Sequence, residues 1–288
     1  MRIFEWTKRK SKIEIILYSA VSLLFLAVAL SYIYILVWAI ISGAKTHTEI
    51  VMNPFSLPET WHFEHFVEVL ETLQVNGYGF LEMLFNSAYF SICGVLIQQF
   101  CCITLAYACA KYRFPGSTII YTVVLIVITL PIYGSGGAQY ALFHRLGLVD
   151  SYAQIVSSTG AFNIFFLYYM SFFKNLSWTY AEAAMMDGAE NFAIYFRVML
   201  PQAKPMFGAL FLTQWIGVWN SYESALIYLP NLPTLPVGIY QFNAEMIYRA
   251  RLDILFAACV IITIPALLLF IVFNKTITSN VSLGGIKG

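Results

Sequence analysis

EAAMMDGAENFAIYFRVMLP, residues 182–201, is a polar interruption in a greasy chain. It carries four charges (Glu182, Asp187, Glu190 and Arg197) and sets Gly188 six residues after Glu182. Long apolar runs lie on both sides of it. If those runs cross a bilayer, this stretch must sit in water on one side, and its side fixes how the runs alternate.

The composition says that they do cross. Of 288 residues, 60% are hydrophobic and only 11% charged, and the mean hydropathy is +0.73. Soluble domains carry about 25% charged residues, so this chain has too little polar surface to cover itself in water. A net charge of +1 gives no bias toward nucleic acid. The five cysteines (93, 101, 102, 109 and 259) all fall in apolar runs, which fits neither a disulfide framework nor a zinc spacing; they read as small core residues.

A helix needs about 20 apolar residues to cross the hydrocarbon. Six segments qualify: Ile15 to Ile41, Leu84 to Ala110, Ile119 to Tyr133, Ile155 to Phe173, Met206 to Leu229 and Ile254 to Phe273. The third is short and ends near Pro131, where a kinked continuation is expected. The first follows a basic start, MRIFEWTKRKSK, but is too long for a signal peptide and reads as a retained span. The expectation is an all-α membrane protein with six transmembrane helices.

Lys and Arg orient it. Twelve fall on one side (Arg2, Lys8, Arg9, Lys10, Lys12, Lys111, Arg113, Lys174, Arg197, Lys204, Lys275 and Lys287) and four on the other (Lys45, Arg145, Arg249 and Arg251). Both termini are therefore expected in the cytoplasm. That divides the chain into a cytoplasmic segment 1–12, a six-span domain 13–273 and a cytoplasmic tail 274–288. Residues 42–80 form an external loop and 174–205 the longest cytoplasmic loop. In the external loop a short helix is expected from Glu64 to Leu73, with Phe66, Val69 and Leu70 on one face. His62 and His65 stand three apart there among scattered Glu, too few ligands for a metal site. Arg249 and Arg251 could meet an acidic lobe of another protein.

The cytoplasmic loop reads as helix, glycine turn, helix. Thr179 and Glu182 fit a capping box, Gly188 suits a helix stop, and Asn191 can cap a second helix that Pro201 and Pro205 close or kink. The stripe Ala181, Ala184, Met185 and Gly188 has almost no bulk and would suit a knob for a partner's socket. An interfacial helix on lipid would instead need a Lys/Arg-rich polar face, and here that face is acidic.

EAA, three residues, Gly, nine residues, a β-branched residue, any residue and Leu-Pro is also the signature loop of binding-protein-dependent ABC importer permeases. Glu182, Ala183, Ala184, Gly188, Val198, Leu200 and Pro201 stand at those places, with Val198 where Ile is usual. Asn86-Ser87, Ala106-Tyr107-Ala108, Phe114-Pro115-Gly116, Asp187-Gly188-Ala189, Lys204-Pro205, Trp219-Asn220 and the final GGIKG resemble the smaller permease of the maltose-type carbohydrate-uptake branch. The resemblance covers nearly the whole chain.

It implies a type I importer permease fold in a bacterial plasma membrane, paired as a heterodimer with a second, related permease. It also implies two cytoplasmic ATPase subunits, an extracytoplasmic solute-binding protein and a sugar, by best guess an oligosaccharide. Glu182, Ala183, Ala184, Asp187, Gly188, Leu200 and Pro201 would then form a coupling helix seated on an ATPase. The chain itself has no G-x-x-x-x-G-K-[ST], so no P-loop, and ATP and Mg would be bound by that partner. A stand-alone secondary transporter or channel, with Glu223 as an ion relay, is the alternative. An intramembrane enzyme lacks a catalytic pair, since all four His fall in external loops.

Polar groups inside spans usually face a bundle interior or a cavity. Gln98, Gln99 and Gln214 are expected to stitch helices together. Trp215, Trp219, Asn220, Tyr222 and Glu223 could line a sugar path by combining aromatic faces with hydrogen-bonding groups. Gly134, Ser135, Gly136 and Gly137 form either a hinge for an outer gate or a plain loop.

Overall fold

The computed structural model describes residues 12–112, 114–130, 134 and 136–281. Arg2, Lys8, Arg9, Lys10, Arg113, Pro131, Ser135, Lys287 and the GGIKG end, on which parts of the reading above rest, lie outside the described residues. Among those described no β-strand forms; a lone bridge between Val75 and Tyr78 closes a turn. The described residues divide into two compact units, 12–70 with 243–261 and 71–242 with 262–281.

The first unit contains α1 (Lys12–Gly43) and α2 (His47–Met52), and α3 (Glu64–Thr72) begins in it. No glycine or proline interrupts α1 before its end, and its 32 residues make about 48 Å, more than a bilayer core of about 30 Å. It ends at Gly43, where an added Cβ would lie 3.0 Å from the Ala257 backbone, so a side chain there would push the two segments apart. α2 starts with a capping box: Glu49 accepts from the Thr46 N–H at 2.8 Å while Thr46 Oγ1 accepts from the Glu49 N–H.

Polar side chains hold this unit together. Lys45 is wholly buried and its Nζ donates to Asn53 O at 2.9 Å and to Ser56 Oγ at 3.3 Å. His65 Nδ1 donates to Gly43 O at 3.0 Å, and its Nε2 lies 3.4 Å from buried Asp253. Arg251 donates through Nε to Asp253 at 3.0 Å and through Nη2 to Glu68 at 2.9 Å. Arg251 is thus engaged inside the chain, and Arg249 pairs with Glu245 at 2.6 Å. The expected apolar face of α3 is also corrected: His65 and Val69 are buried, whereas Leu70 is exposed. Polar pairing, which an apolar count ignores, sets that face.

In the second unit α4 (Phe80–Ala88), a π-helical turn (Tyr89–Cys93) and α5 (Gly94–Lys111) run on as one long helix. Then come α6 (Ser117–Thr129), α7 (Gly136–Arg145), a 3₁₀ segment (Tyr152–Thr159) and α8 (Ile164–Asn175). Next are α9 (Thr179–Met186), α10 (Asn191–Ala193), a second π turn (Ile194–Met199) and α11 (Leu200–Gln202). They are followed by α12 (Lys204–Asn220), α13 (Glu223–Tyr228), α14 (Leu235–Tyr248), which belongs to the first unit from residue 243 on, and α15 (Leu252–Val281), which belongs to the first unit up to residue 261.

α8 lies along α5. Its buried residues, Phe166, Tyr169, Met170 and Phe173, repeat at i, i+3, i+4 and i+7 and meet Cys102, Ile103 and Ala106 of α5. Tyr107 closes the lower end of this core against Tyr195 at 4.7 Å and Phe173 at 5.3 Å.

Among the described residues three helices are long and apolar enough to cross a membrane: Ile13–Gly43, Phe80–Lys111 and Leu252–Ile271. They become four if the 3₁₀ segment and α8, bent by 51°, count as one span. The continuous fourth and fifth runs expected from sequence are therefore both broken. At the first break Asn163 turns extended and its Oδ1 accepts from the Phe165 N–H at 2.9 Å, restarting the helix. At the second, Ser221 is extended and separates α12 from α13. In the third run the described helix stops at Thr129. Gly136 and Gly137, expected in a hinge or loop, begin helix α7.

Candidate functional site

The loop after Asn175 is anchored before it begins. Lys111, at the end of α5, donates through Nζ to the α8 C-cap carbonyl of Leu176 at 2.5 Å and lies 5.9 Å from the Trp178 ring. Trp178, not Thr179, is the N-cap residue of α9, and Ser177 Oγ accepts from the Thr179 N–H at 3.3 Å. The expected Thr179/Glu182 capping box does not form, because Thr179 is already the first helical residue, one position past the cap.

Gly188 does stop the helix. Its φ is +79°, its N–H donates to Met185 O at 3.0 Å, and the Ala189 N–H donates to Ala184 O at 2.9 Å. Those two bonds make a Schellman motif, which needs a residue at left-handed φ. Asn191 is the first helical residue beyond the turn, not the cap; Glu190 takes the cap position, and Asn191 Oδ1 accepts from the Tyr112 hydroxyl at 3.4 Å. The second helix winds through the π turn. Pro201 falls within the first two positions of α11 and Pro205 within those of α12, where a missing N–H costs little.

This geometry divides the expected knob. Ala181 is wholly buried, and Ala184 packs against the same core as Tyr107 and Phe173. Those two small residues are how α9 lies close on its own chain, whereas Met185 and Gly188 of the same stripe are exposed. Facing outward are Glu182, Ala183, Asp187 and Gly188, together with Met186, 89% exposed, and Phe192, 79% exposed. Leu200 and Pro201 are half-buried, with Leu200 against the core. The seven signature residues thus split between a presented face and its internal support.

The five residues expected along a sugar path do not converge. Trp215 is buried and its indole N–H donates to Ser91 Oγ at 3.0 Å. Trp219 stacks beside it at 4.9 Å and borders a cavity of about 190 Å³. Asn220 is exposed and its amide returns to Ile216 O at 2.8 Å. Tyr222 stacks on Tyr240 at 4.7 Å, and Glu223 is exposed at the start of α13. The cavity's other walls went unnoticed in sequence. Their signal is the hydroxyl-rich run SYAQIVSSTG, residues 151–160, in an apolar context.

The three amides behave as expected. Gln214 donates to Gln98 Oε1 and accepts from Gln99 Nε2 at 2.7 Å, while the Tyr169 hydroxyl donates to Gln99 Oε1 at 2.7 Å. This ladder ties α5, α8 and α12 together. The histidines differ from expectation: Glu64 joins His62 and His65, one ligand atom of each lying within 4.8 Å of the others. Those atoms are already in use, His62 with Glu64 at 2.6 Å and with Thr60 at 2.7 Å.

Comparison with known proteins agrees with this architecture. The chain is 30% identical over 255 residues to the diacetylchitobiose uptake system permease protein NgcG of Streptomyces coelicolor, covering 86% of this chain and 82% of that one. It is 26% identical over 275 residues to the arabinooligosaccharides transport system permease protein AraQ of Bacillus subtilis, covering 93% and 95%. A chain from the crystal structure of a bacterial ABC transporter involved in the import of the acidic polysaccharide alginate superposes with a TM-score of 0.74 at 22% identity, covering 92% of this chain and 98% of that one. Residues 102–282, which hold the loop, most of the cavity and the Tyr169 and Gln214 rungs of the amide ladder, match the family model described as binding-protein-dependent transport system inner membrane component, and the chain belongs to that family.

Proposed function

We propose that this chain is one of two transmembrane subunits of an ATP-driven importer for carbohydrate, oligosaccharide by preference. It carries no ATPase chemistry of its own. The observation that carries the reading is the loop at residues 182–201: a rigid helix and glycine turn, clamped from behind by the chain's own core, that presents Glu182, Ala183, Met186 and Phe192 outward. Apolar side chains this exposed beside acidic ones suit a groove on a water-soluble partner. The loop would seat on an ATPase subunit, which binds ATP and Mg.

The six apolar runs and the twelve-to-four division of Lys and Arg support six spans with both termini in the cytoplasm. The family implies a bacterial plasma membrane, and on that topology 174–205 is the cytoplasmic coupling loop and 42–80 is external. A solute-binding protein delivers the sugar from outside to a path shared with a second, related permease. The uptake systems named for the relatives support carbohydrate as the solute class.

The test is purification of the tagged chain from its own membranes in gentle detergent, with co-purifying proteins identified by mass, and a Met186→Cys crosslink. The expected result is a second permease and a P-loop ATPase, with the crosslink on the ATPase. Recovery of the chain alone, moving solute in vesicles without ATP, overturns the proposal.

A further inference from the structure

The cavity beside Trp219 is left chemically incomplete by the fold. Its walls come from separate elements of one compact unit: Ser87 and Ser91 from the long helix, Gln154 and Ser158 from the 3₁₀ segment, Thr234 before α14, and Trp219. Gln154 is 8% exposed and Thr234 6% exposed, yet Gln154 Oε1 and Thr234 Oγ1 make no hydrogen bond. Buried polar atoms are nearly always paired, and here two orphans border the same space.

The remaining groups say what would satisfy them. Gln154 uses its Nε2 on Ser157 Oγ at 3.3 Å, so its acceptor end is what remains. Ser87 Oγ accepts from the Leu235 N–H at 2.7 Å and Ser91 Oγ accepts from the Trp215 indole at 3.0 Å, so each still has a proton to donate. The walls therefore offer both donors and acceptors, and no charged side chain lines them. The Trp219 indole adds a flat apolar wall, the surface on which the C–H face of a sugar rests. The volume of about 190 Å³ is that of about six waters at about 30 Å³ each: room for one six-membered ring.

We propose that this cavity is a subsite for a single uncharged sugar ring, whose hydroxyls donate to Gln154 Oε1 and exchange hydrogen bonds with Thr234 Oγ1, Ser87 and Ser91. The inference rests on the carbohydrate reading above and deepens it. It assigns a ring-sized resting place to this subunit, with Trp219 as its one member of the Trp215–Glu223 set and hydrogen-bonding groups that all lie outside that set.

The test uses the whole assembly in lipid nanodiscs without the binding protein. Saturation-transfer NMR is recorded with four probes: methyl α-D-glucopyranoside, methyl β-D-galactopyranoside, methyl α-D-mannopyranoside and methyl β-L-arabinopyranoside. At least one is expected to give a signal that falls at least fivefold in the Gln154→Leu/Thr234→Val variant and survives in Thr234→Ser. The isosteric Thr234→Val alone, expected to lose at least twofold, serves if the double variant does not fold. Equal signals in wild type and variant overturn the proposal. So does silence from all four probes, which leaves water as the occupant, or a cryo-EM map with a partner's side chain in the cavity. ATP hydrolysis and ATP-driven uptake are measured on the same assembly. Intact uptake with silent probes strikes the subsite alone, whereas absence of ATP-driven uptake strikes the importer reading.

Discussion

Gly188 is where backbone and partner effects can be separated by substitution. At φ +79° an L side chain costs about 1–2 kcal/mol, and asparagine costs less because it tolerates the left-handed region. An added Cβ would meet nothing within 4 Å, so no clash adds to that cost in the free chain. Gly188→Ala should therefore loosen the turn by the backbone term alone, about five- to thirtyfold at about 1.4 kcal/mol per decade. The amides that report it are those of residues 188 and 189, which donate to Met185 O and Ala184 O. Their hydrogen exchange in the purified permease should rise by that factor for alanine and by less for asparagine, with the amides of α5 and α8 unchanged. A rise under twofold for alanine would mean that the positive φ does not hold the motif, and the account of the turn would fail. Gly188→Asp should abolish ATP-driven uptake in proteoliposomes while the spans stay folded; retained uptake would refute the coupling role.

Met186→Ser with Phe192→Ser should leave the melting temperature of the permease within error yet weaken ATPase co-purification at least fivefold, about 1 kcal/mol, as for an interface anchor. Gln99→Leu leaves Gln214 Oε1 and the Tyr169 hydroxyl unpaired; a loss of about 1–3 kcal/mol is expected in unfolding scans, with part recovered when Gln214 is also Leu. Lys45→Met takes the buried donor from Asn53 O and Ser56 Oγ and should speed limited proteolysis within residues 44–62. The Glu49 carboxyl is held below its usual value of 4.5 by the Thr46 and Glu59 amide hydrogens and the Thr46 hydroxyl. Its contribution to loop order is therefore complete above pH 4.5 and fades as pH falls through the lowered value. Hydrogen exchange of the loop between pH 7 and pH 3 should show that acid limb in wild type and lose it in Glu49→Gln.

Much of this molecule was legible in the sequence because lipid is a simple solvent. Apolar runs located the helices, and three of those described are long and apolar enough to cross as single pieces. Gly188 announced its turn because few other residues take that φ without strain. The Gln98, Gln99 and Gln214 amides were expected to find one another, and they do. What stayed hidden depends on geometry that no run length records. The break at Asn220–Ser221 lies inside a run that hydropathy reads as continuous. α14 lies in a stretch between two runs where no element was expected, although Leu235, Phe242 and Met246 mark a buried helical face. The division of the α9 stripe stayed hidden because small residues fit equally well against a partner or against the chain's own Tyr107 and Phe173. The orphans Gln154 and Thr234 are 80 residues apart in sequence, and only the fold brings them to one cavity.

The amide ladder also sets a clock on the chain's synthesis. Gln99 reaches the membrane 70 residues before Tyr169 and 115 residues before Gln214. At about 5–20 residues per second, those glutamines wait roughly 6 to 23 seconds for the last rung. Tyr169 relieves Gln99 partway through, and Gln98 has no mate until α12 emerges. A chain that stalls between those two events carries an unmatched amide in oil, a mark by which an aborted product differs from a finished one.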